Sequence, residues 1–222
     1  MEYRESKIKS PSIDVVYQQH RYIYRFCKRL FDIMASLIAV IILSPLFLIV
    51  ALLIKLDDGK GPVIYSQIRL GKYQRPFRMY KFRSMIVGAD KKKAKLIAQN
   101  DVAGAMFKMK EDPRITRLGH YLRKYSIDEL PQLVNVLLGQ MSLVGPRPPL
   151  PREVAEYTPF DKQRLAVKPG CTGLWQVTLR NDASFEQMVR LDLKYIEKRG
   201  FWFDLYMLVR TVAVFVKPNG AY

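Results

Sequence analysis

Two histidines, His20 and His120, and two cysteines, Cys27 and Cys171, are all that this 222-residue chain offers of the common soft metal ligands. None has metal-ligand spacing, and the cysteines suggest no disulfide framework. The shortage of histidine argues against a histidine base and against Ser-His-Asp chemistry. The chain has no Walker phosphate loop, no Gly-x-Gly-x-x-Gly and no Gly-x-Ser-x-Gly nucleophile elbow. The Asp-x-Asp pattern of metal-dependent nucleotide-sugar glycosyltransferases is missing too, and there is no internal repeat. Acidic residues are scarce: 20 Asp and Glu against 37 Lys and Arg, for a formal net charge of +17. That excess calls for polyanionic surroundings, namely anionic lipid headgroups, phosphates or nucleic acid. A hydrophobic content of 49% is enough for one packed domain of ordinary size.

Charge is absent altogether from Ile33 to Ile54. A helix of about 20 apolar residues matches a bilayer core, so the surroundings are lipid and phosphate rather than nucleic acid. The run carries Ser44-Pro45 at its centre. Basic residues stand on both sides: Arg21, Arg25, Lys28 and Arg29 before it, and Lys55, Lys60, Arg69 and Lys72 after it. Both ends therefore favour the cytoplasmic face. A re-entrant helix-break-helix hairpin satisfies both, with Pro45 as the break and Ser44 placed to re-satisfy a freed carbonyl. A simple span with a proline kink and a buried core helix are the alternatives. A secretory signal peptide is excluded by the length of the run and the lack of a small-residue cleavage site.

Three regions follow: a loosely ordered segment 1–20, a basic lead-in and membrane hairpin over 21–58, and a cytosolic domain over 59–222. Val63 to Gln67 and Phe77 to Met85 predict strands. Helices are expected over 88–110, Ile115 to Tyr125, Ser126 to Leu138, 152–167 and Phe185 to Glu197. Phe201 to Val216 is apolar but interrupted by Asp204 and Arg210, which predicts an interfacial or core helix. The fold class is α+β and mainly helical, with a small β element and interfacial amphipathic helices.

Asp128-Glu129 is the sharpest candidate for chemistry. The local pattern Ser126-x-x-Glu129 is that of a capping box, and acids suit a first helical turn. A helix start also keeps a carboxylate ionised and offers N–H groups to phosphate. An ionised Asp128 is a competent nucleophile toward phosphorus, and Glu129 can hold a divalent ion. Phosphate ligands are supplied by Lys81, Arg83, Arg123 and Arg147, the last pre-oriented between two prolines.

The ordered motifs resemble those of the bacterial sugar transferases, the monotopic polyprenol-phosphate phosphoglycosyl transferases. They run from Lys28-Arg29-Leu30-Phe31-Asp32 and Ser44-Pro45 through Gln67-x-Arg69-x-Gly71, Lys81-Phe82-Arg83-Ser84-Met85 and Asp112-Pro113-Arg114-Ile115-Thr116. Ser126-Ile127-Asp128-Glu129-Leu130-Pro131-Gln132, Met141 to Pro148, Pro169-Gly170-x-Thr172-Gly173-Leu174-Trp175-Gln176-Val177 and Asp192-x-x-Tyr195 complete the series. The resemblance covers roughly residues 26–217. It implies transfer of a sugar 1-phosphate from a UDP-sugar to undecaprenyl phosphate at the cytoplasmic leaflet of the bacterial membrane, in exopolysaccharide or capsule synthesis. It implies Asp128 as nucleophile, Glu129 as a ligand of Mg2+ or Mn2+, and Lys81, Arg83, Arg147, Gln176, Arg180 and Asp192 around the substrate. Leu179 stands where the family often has Gly before the Arg of Arg180-Asn181. Anionic lipids, downstream glycosyltransferases and a second copy of the chain are the further partners it suggests, and nucleic acid is not one. The longer members' added N-terminal membrane helices are not seen, which gives the look of a minimal catalytic form. The competing reading is a non-catalytic basic adaptor at the membrane.

Overall fold

The computed structural model describes residues 13–58, 61–89, 112–179 and 183–216. Helix α1 (Val15–His20) starts at Asp14, whose carboxylate accepts the Tyr17 N–H at 2.8 Å. Its Gln18 is buried against the Arg199 guanidinium. The last part of the segment expected to be loosely ordered is thus a docked helix.

Helix α2 (Tyr22–Asp58) has 37 residues. The expected helix-break-helix shows no interruption of helical backbone: the chain stays helical through Ser44-Pro45. Pro45 has no N–H for the Ile41 carbonyl four residues back. The Ser44 hydroxyl donates to that same oxygen at 2.8 Å, so the lost bond is replaced and the helix continues. Much of its surface is exposed and apolar, including Ile38, Ile41, Ile42, Leu48 and Ile49. It is long and apolar enough to cross a membrane. Both halves nevertheless pack on the rest of the chain. Asp32 and Ser36 are buried on one half, and Val50 and Ile54 on the other.

Strands β1 (Ile64–Leu70) and β2 (Pro76–Phe82) form an antiparallel hairpin that pairs Tyr65 with Lys81, Gln67 with Met79 and Arg69 with Phe77. Helix α3 (Arg117–Lys124) starts at Thr116, whose side chain accepts the Gly119 N–H. Ile127–Glu129 is a 3-10 turn, and helix α4 (Gln132–Leu137) follows. The single helix expected over Ser126 to Leu138 is therefore broken. Strand β3 (Ser142–Val144) lies parallel to β4 (Gly170–Thr172). Between them, the helix expected over 152–167 is three short pieces: α5 (Pro151–Ala155), α6 (Pro159–Lys162) and a 3-10 turn Gln163–Ala166. Thr158-Pro159 sets the boundary between the first two pieces, with Thr158 capping α6. Helices α7 (Leu174–Thr178), α8 (Phe185–Lys198) and α9 (Phe201–Val216) complete the described fold. Beyond residue 89, the helix expected over 88–110 lies outside the described residues.

The main core gathers Phe77 and Met79 of β2, Val136 of α4, Leu143 and Val144 of β3, and Val189, Leu193 and Ile196 of α8. A second cluster joins α2 to the hairpin and α3 through Val50, Ile54, Phe82 and Leu122. Asp204 is the polar joint of α2, α8 and α9. It accepts from Tyr24 at 2.6 Å, Lys28 at 2.9 Å and Tyr195 at 2.7 Å. That explains how α9 keeps a buried carboxylate in a largely apolar segment. Its other face exposes Trp202, Tyr206, Val209 and Val212, the amphipathic character expected of it.

Candidate active site

The hairpin forms one wall of the site. Side chains alternate across a strand, and here Phe77, Met79 and Lys81 of β2 face the domain with Tyr65, Gln67 and Arg69 of β1. The pattern on β1 is inverted. Ile68 is 55% exposed while Arg69 is 8% exposed. Burying a charge in place of an available isoleucine is unfavourable unless the charge is used or paired. Arg69 donates to the Pro148 carbonyl at 3.0 Å and to Gln67. Burial, then the nearby Arg147, hold its guanidinium below the usual arginine range, to about 10.

Lys81 ends the inward row of β2, and the acidic pair meets it there. Ser126 sits in the left-handed region, with φ of 51°, and caps nothing through its side chain. The capping-box reading therefore fails. In a 3-10 turn, successive side chains diverge by about 120°. Ile127 packs toward Phe82 and Leu122, Asp128 is buried, and Glu129 meets the Lys81 ammonium at 2.5 Å. Burial pushes the Asp128 carboxyl up to about 6, with Glu129 adding to the rise while Lys81 and Arg123 oppose it. Burial also raises Glu129, but Lys81, Arg147 and Arg69 outweigh it and leave that carboxyl below its usual range. The turn therefore holds one carboxylate that protonates easily and one that stays charged.

Asn135 of α4 fixes the distance between these two pieces. It is fully buried, accepts the Tyr80 N–H at 2.9 Å and donates to the Arg78 carbonyl at 2.7 Å. It thus occupies the open edge of β2 on both sides of residue 79, two residues before Lys81.

Arg147 comes from the loop after β3. Its guanidinium is 3.5 Å from the buried Glu153 carboxylate, and it is close enough to lower Glu129. Arg123 of α3 donates to the Ser84 hydroxyl at 2.9 Å and stands by Asp128. Lys81, Asp128, Glu129 and Arg147 are thus brought together. Arg83 is buried with its guanidinium against Gly61, where a Cβ would lie 2.1 Å from Nη1. Asp192 is buried in an ion pair with Arg164. Gln176 lies on α7 with its buried Oε1 unpartnered, beside the Gly173–Gly145 backbone contact. Arg180 lies outside the described residues. Arg69 and Gln67 escaped the sequence reading as site residues, and the inverted burial of Ile68 and Arg69 is the signal that finds them.

Among the described residues, no three His, Cys, Asp or Glu side chains converge. The dyad offers two adjacent carboxylates. That donor set suits Mg2+, which keeps several waters and takes one or two carboxylates plus substrate phosphates.

The model of one family, described as bacterial sugar transferase, matches residues 23–218. Galactosyl transferase CpsE of Streptococcus agalactiae is 43% identical over 203 residues, which are 91% of this chain and 45% of that protein. Undecaprenyl-phosphate galactose phosphotransferase of Salmonella typhimurium is 44% identical over 202 residues, 89% of this chain and 42% of that protein. This chain therefore spans less than half the length of these two relatives. Exopolysaccharide production protein ExoY of Sinorhizobium fredii is 38% identical over 199 residues, 88% of each chain.

Proposed function

We propose a function for this chain from one fact: it belongs to the bacterial sugar transferase family. It transfers a sugar 1-phosphate from a UDP-sugar to undecaprenyl phosphate, the first membrane step of an exopolysaccharide or capsule. The observation that carries this reading is the buried Asp128 beside a Glu129 held by Lys81, within reach of Arg123 and Arg147. Phosphoryl transfer asks mainly for positioning and charge neutralisation, and this cluster supplies both.

In the first step a carboxylate oxygen of Asp128 attacks the sugar-bearing phosphorus. The bond to the bridging oxygen breaks, and its electron pair leaves on UMP. In the second, an oxygen of undecaprenyl phosphate attacks the same phosphorus and the Asp128–phosphorus bond breaks. The carboxylate is restored and undecaprenyl-diphospho-sugar is released, with no net proton transfer. Glu129 would hold Mg2+, which would offset phosphate charge when bound. Lys81 and Arg147 bind phosphate oxygens.

The exposed apolar surface of α2 seats the enzyme in the cytoplasmic leaflet as a re-entrant element. An undecaprenyl chain leaves the bilayer only at about 0.8 kcal/mol per CH2, so the dyad must come to the headgroup plane. The test is a panel of UDP-sugars with undecaprenyl phosphate, read as UMP release. The expected result is turnover with at least one sugar, reduced at least 1,000-fold by Asp128→Asn and by Glu129→Gln, with membrane recovery unchanged. Near-normal turnover of Asp128→Asn would overturn the covalent mechanism. No turnover by the wild type, with membrane binding intact, would favour the basic adaptor.

A further inference from the structure

The loop that carries Arg147 is built almost wholly of acceptors. Pro146, Pro148 and Pro149 have no N–H, so the loop is held through its carbonyls. Four consecutive carbonyls are taken by four donors. Gly170 N bonds Pro146 O at 2.9 Å, and Arg164 Nη2 bonds Arg147 O at 3.2 Å. Arg69 Nη1 bonds Pro148 O at 3.0 Å, and Leu70 N bonds Pro149 O at 2.9 Å. Two of the donors are backbone amides inside β1 and β4. Arg69 lies on the wall of the site itself. Arg164 is different: it is 1% exposed, outside the site, and is itself fixed by two buried partners. It donates to the Tyr157 hydroxyl at 2.8 Å and forms an ion pair with Asp192 of α8, also 1% exposed.

We infer that Arg164 and Asp192 are positioning residues that set the Arg147 guanidinium for the substrate phosphates. This rests on the function proposed above and changes the part given to Asp192. Its carboxylate is sealed from solvent, with Oδ2 on Arg164 and Oδ1 without a hydrogen-bond partner, so its hydrogen-bonded route toward the substrate is the Arg164–Arg147 carbonyl link. The far end of Arg147 is held separately by Glu153, whose Oε2 also accepts the Leu150 N–H at 2.8 Å. With the backbone pinned by Arg164 and the guanidinium steered by Glu153, Arg147 needs little reorganisation to meet a phosphate.

Removing one member of the pair would leave a buried charge and could unfold the chain. Replacing both with apolar residues of similar volume is commonly tolerated. The test variant is therefore Arg164→Met/Asp192→Leu in the full chain, in detergent. It is compared with the wild type, with Arg147→Ala, and with the three substitutions together, as a double-mutant cycle. The expected result is a drop in kcat/KM of at least 10-fold when Arg147 is present and less than 2-fold when it is Ala. An equal drop in both backgrounds, or no drop, would overturn the proposal. A second readout does not depend on turnover: the rate at which phenylglyoxal modifies Arg147, followed by peptide mass spectrometry. That rate is expected to rise at least 5-fold in Arg164→Met/Asp192→Leu. An unchanged rate would overturn the positioning role. Absence of wild-type turnover would overturn only the proposed function. A variant that does not fold is replaced by Arg164→Lys, which keeps the charge but offers one nitrogen where Arg164 uses two in a fixed fork. It faces the same cycle and the same rate measurement.

Discussion

Burial and the Glu129 carboxylate push Asp128 up to about 6, and Lys81 and Arg123 pull the other way. Two consequences follow at this residue. A nucleophilic Asp128 must be ionised, so kcat/KM should rise with pH and level off, with bound Mg2+ drawing that limb below the value of about 6 for the metal-free site. Lys81→Met removes one of the opposing cations and should move that limb to higher pH by about one pH unit. The measurement is kcat/KM for UMP release from pH 5 to 9. A limb that stays in place would show that Lys81 does not set the ionisation of the dyad. The second consequence is for stability, and its sign is fixed. The folded-state value lies above the ordinary 3.8, so the folded state holds this proton more tightly than the unfolded one. Stability is lost as pH rises from about 4 through about 6. Asn resembles the protonated form, so Asp128→Asn should melt no lower than the wild type at pH 8. The site thus keeps an ionised group where neutral Asn would suit the fold at least as well. Ser126, left-handed with φ of 51°, is a second local conflict two residues away.

Among the elements, the hairpin and helix α4 must be locked together for Lys81 to reach Glu129. A two-stranded sheet leaves an open edge of amide and carbonyl groups, and Asn135 covers that edge with both ends of its amide. It also donates to Gln140 at 2.6 Å. Asn135→Leu keeps the volume but leaves the Tyr80 N–H and Arg78 carbonyl buried without it. The expected cost is about 2–4 kcal/mol of stability, from two unsatisfied groups at about 1–3 kcal/mol each with partial relief by water. Turnover should fall in the fraction that remains folded, because Lys81 loses its register. Chemical denaturation and UMP release on the same preparation check this. Asn135 also shows what the sequence could and could not display. Strands β1 and β2 and helices α3, α8 and α9 were legible because their signals are local, whereas the short parallel strands β3 and β4 pair residues some 28 apart and carry no local pattern. Asn135 sits in an unremarkable apolar stretch, and its partners lie 55 and 57 residues away, so no local pattern marks it. The same holds for Arg164, whose three partners come from separate elements. The Ser-x-x-Glu pattern misled for the opposite reason. It fits a cap locally, but Ile127 packs into the cluster of Phe82 and Leu122 and Ser126 is left-handed with no side-chain cap bond.

For the whole molecule, the decisive relation is between α2 and the domain. Arg29 donates to the Val136 and Leu137 carbonyls at the end of α4. Phe47 meets Phe82 edge to face, with ring centres 5.5 Å apart, and Ile54 joins the same cluster. A straight helix places Arg29 and Ile54 about 37 Å apart, more than the roughly 30 Å of a bilayer core. If α2 crossed the membrane, the partners of these two residues would stand on opposite sides of it. Yet those partners are tied to one another: Asn135, beside Val136, is bonded to Tyr80, two residues from Phe82. One folded body holding both ends of the apolar run supports the re-entrant form proposed above, with the change of direction made inside a backbone that stays helical at Pro45. On that proposal, Arg29 and the hairpin share one face of the membrane, where each basic residue near an anionic leaflet adds about 1 kcal/mol of attraction. The check uses two exposed positions, native Cys27 and Leu56→Cys. Each is made the sole cysteine by changing the others to Ser, and each is labelled with an impermeant maleimide in right-side-out and inverted vesicles. A re-entrant α2 should expose both positions in inverted vesicles alone. Reaction of the two from opposite faces would establish a span, and the dyad would then need another route to the headgroup plane.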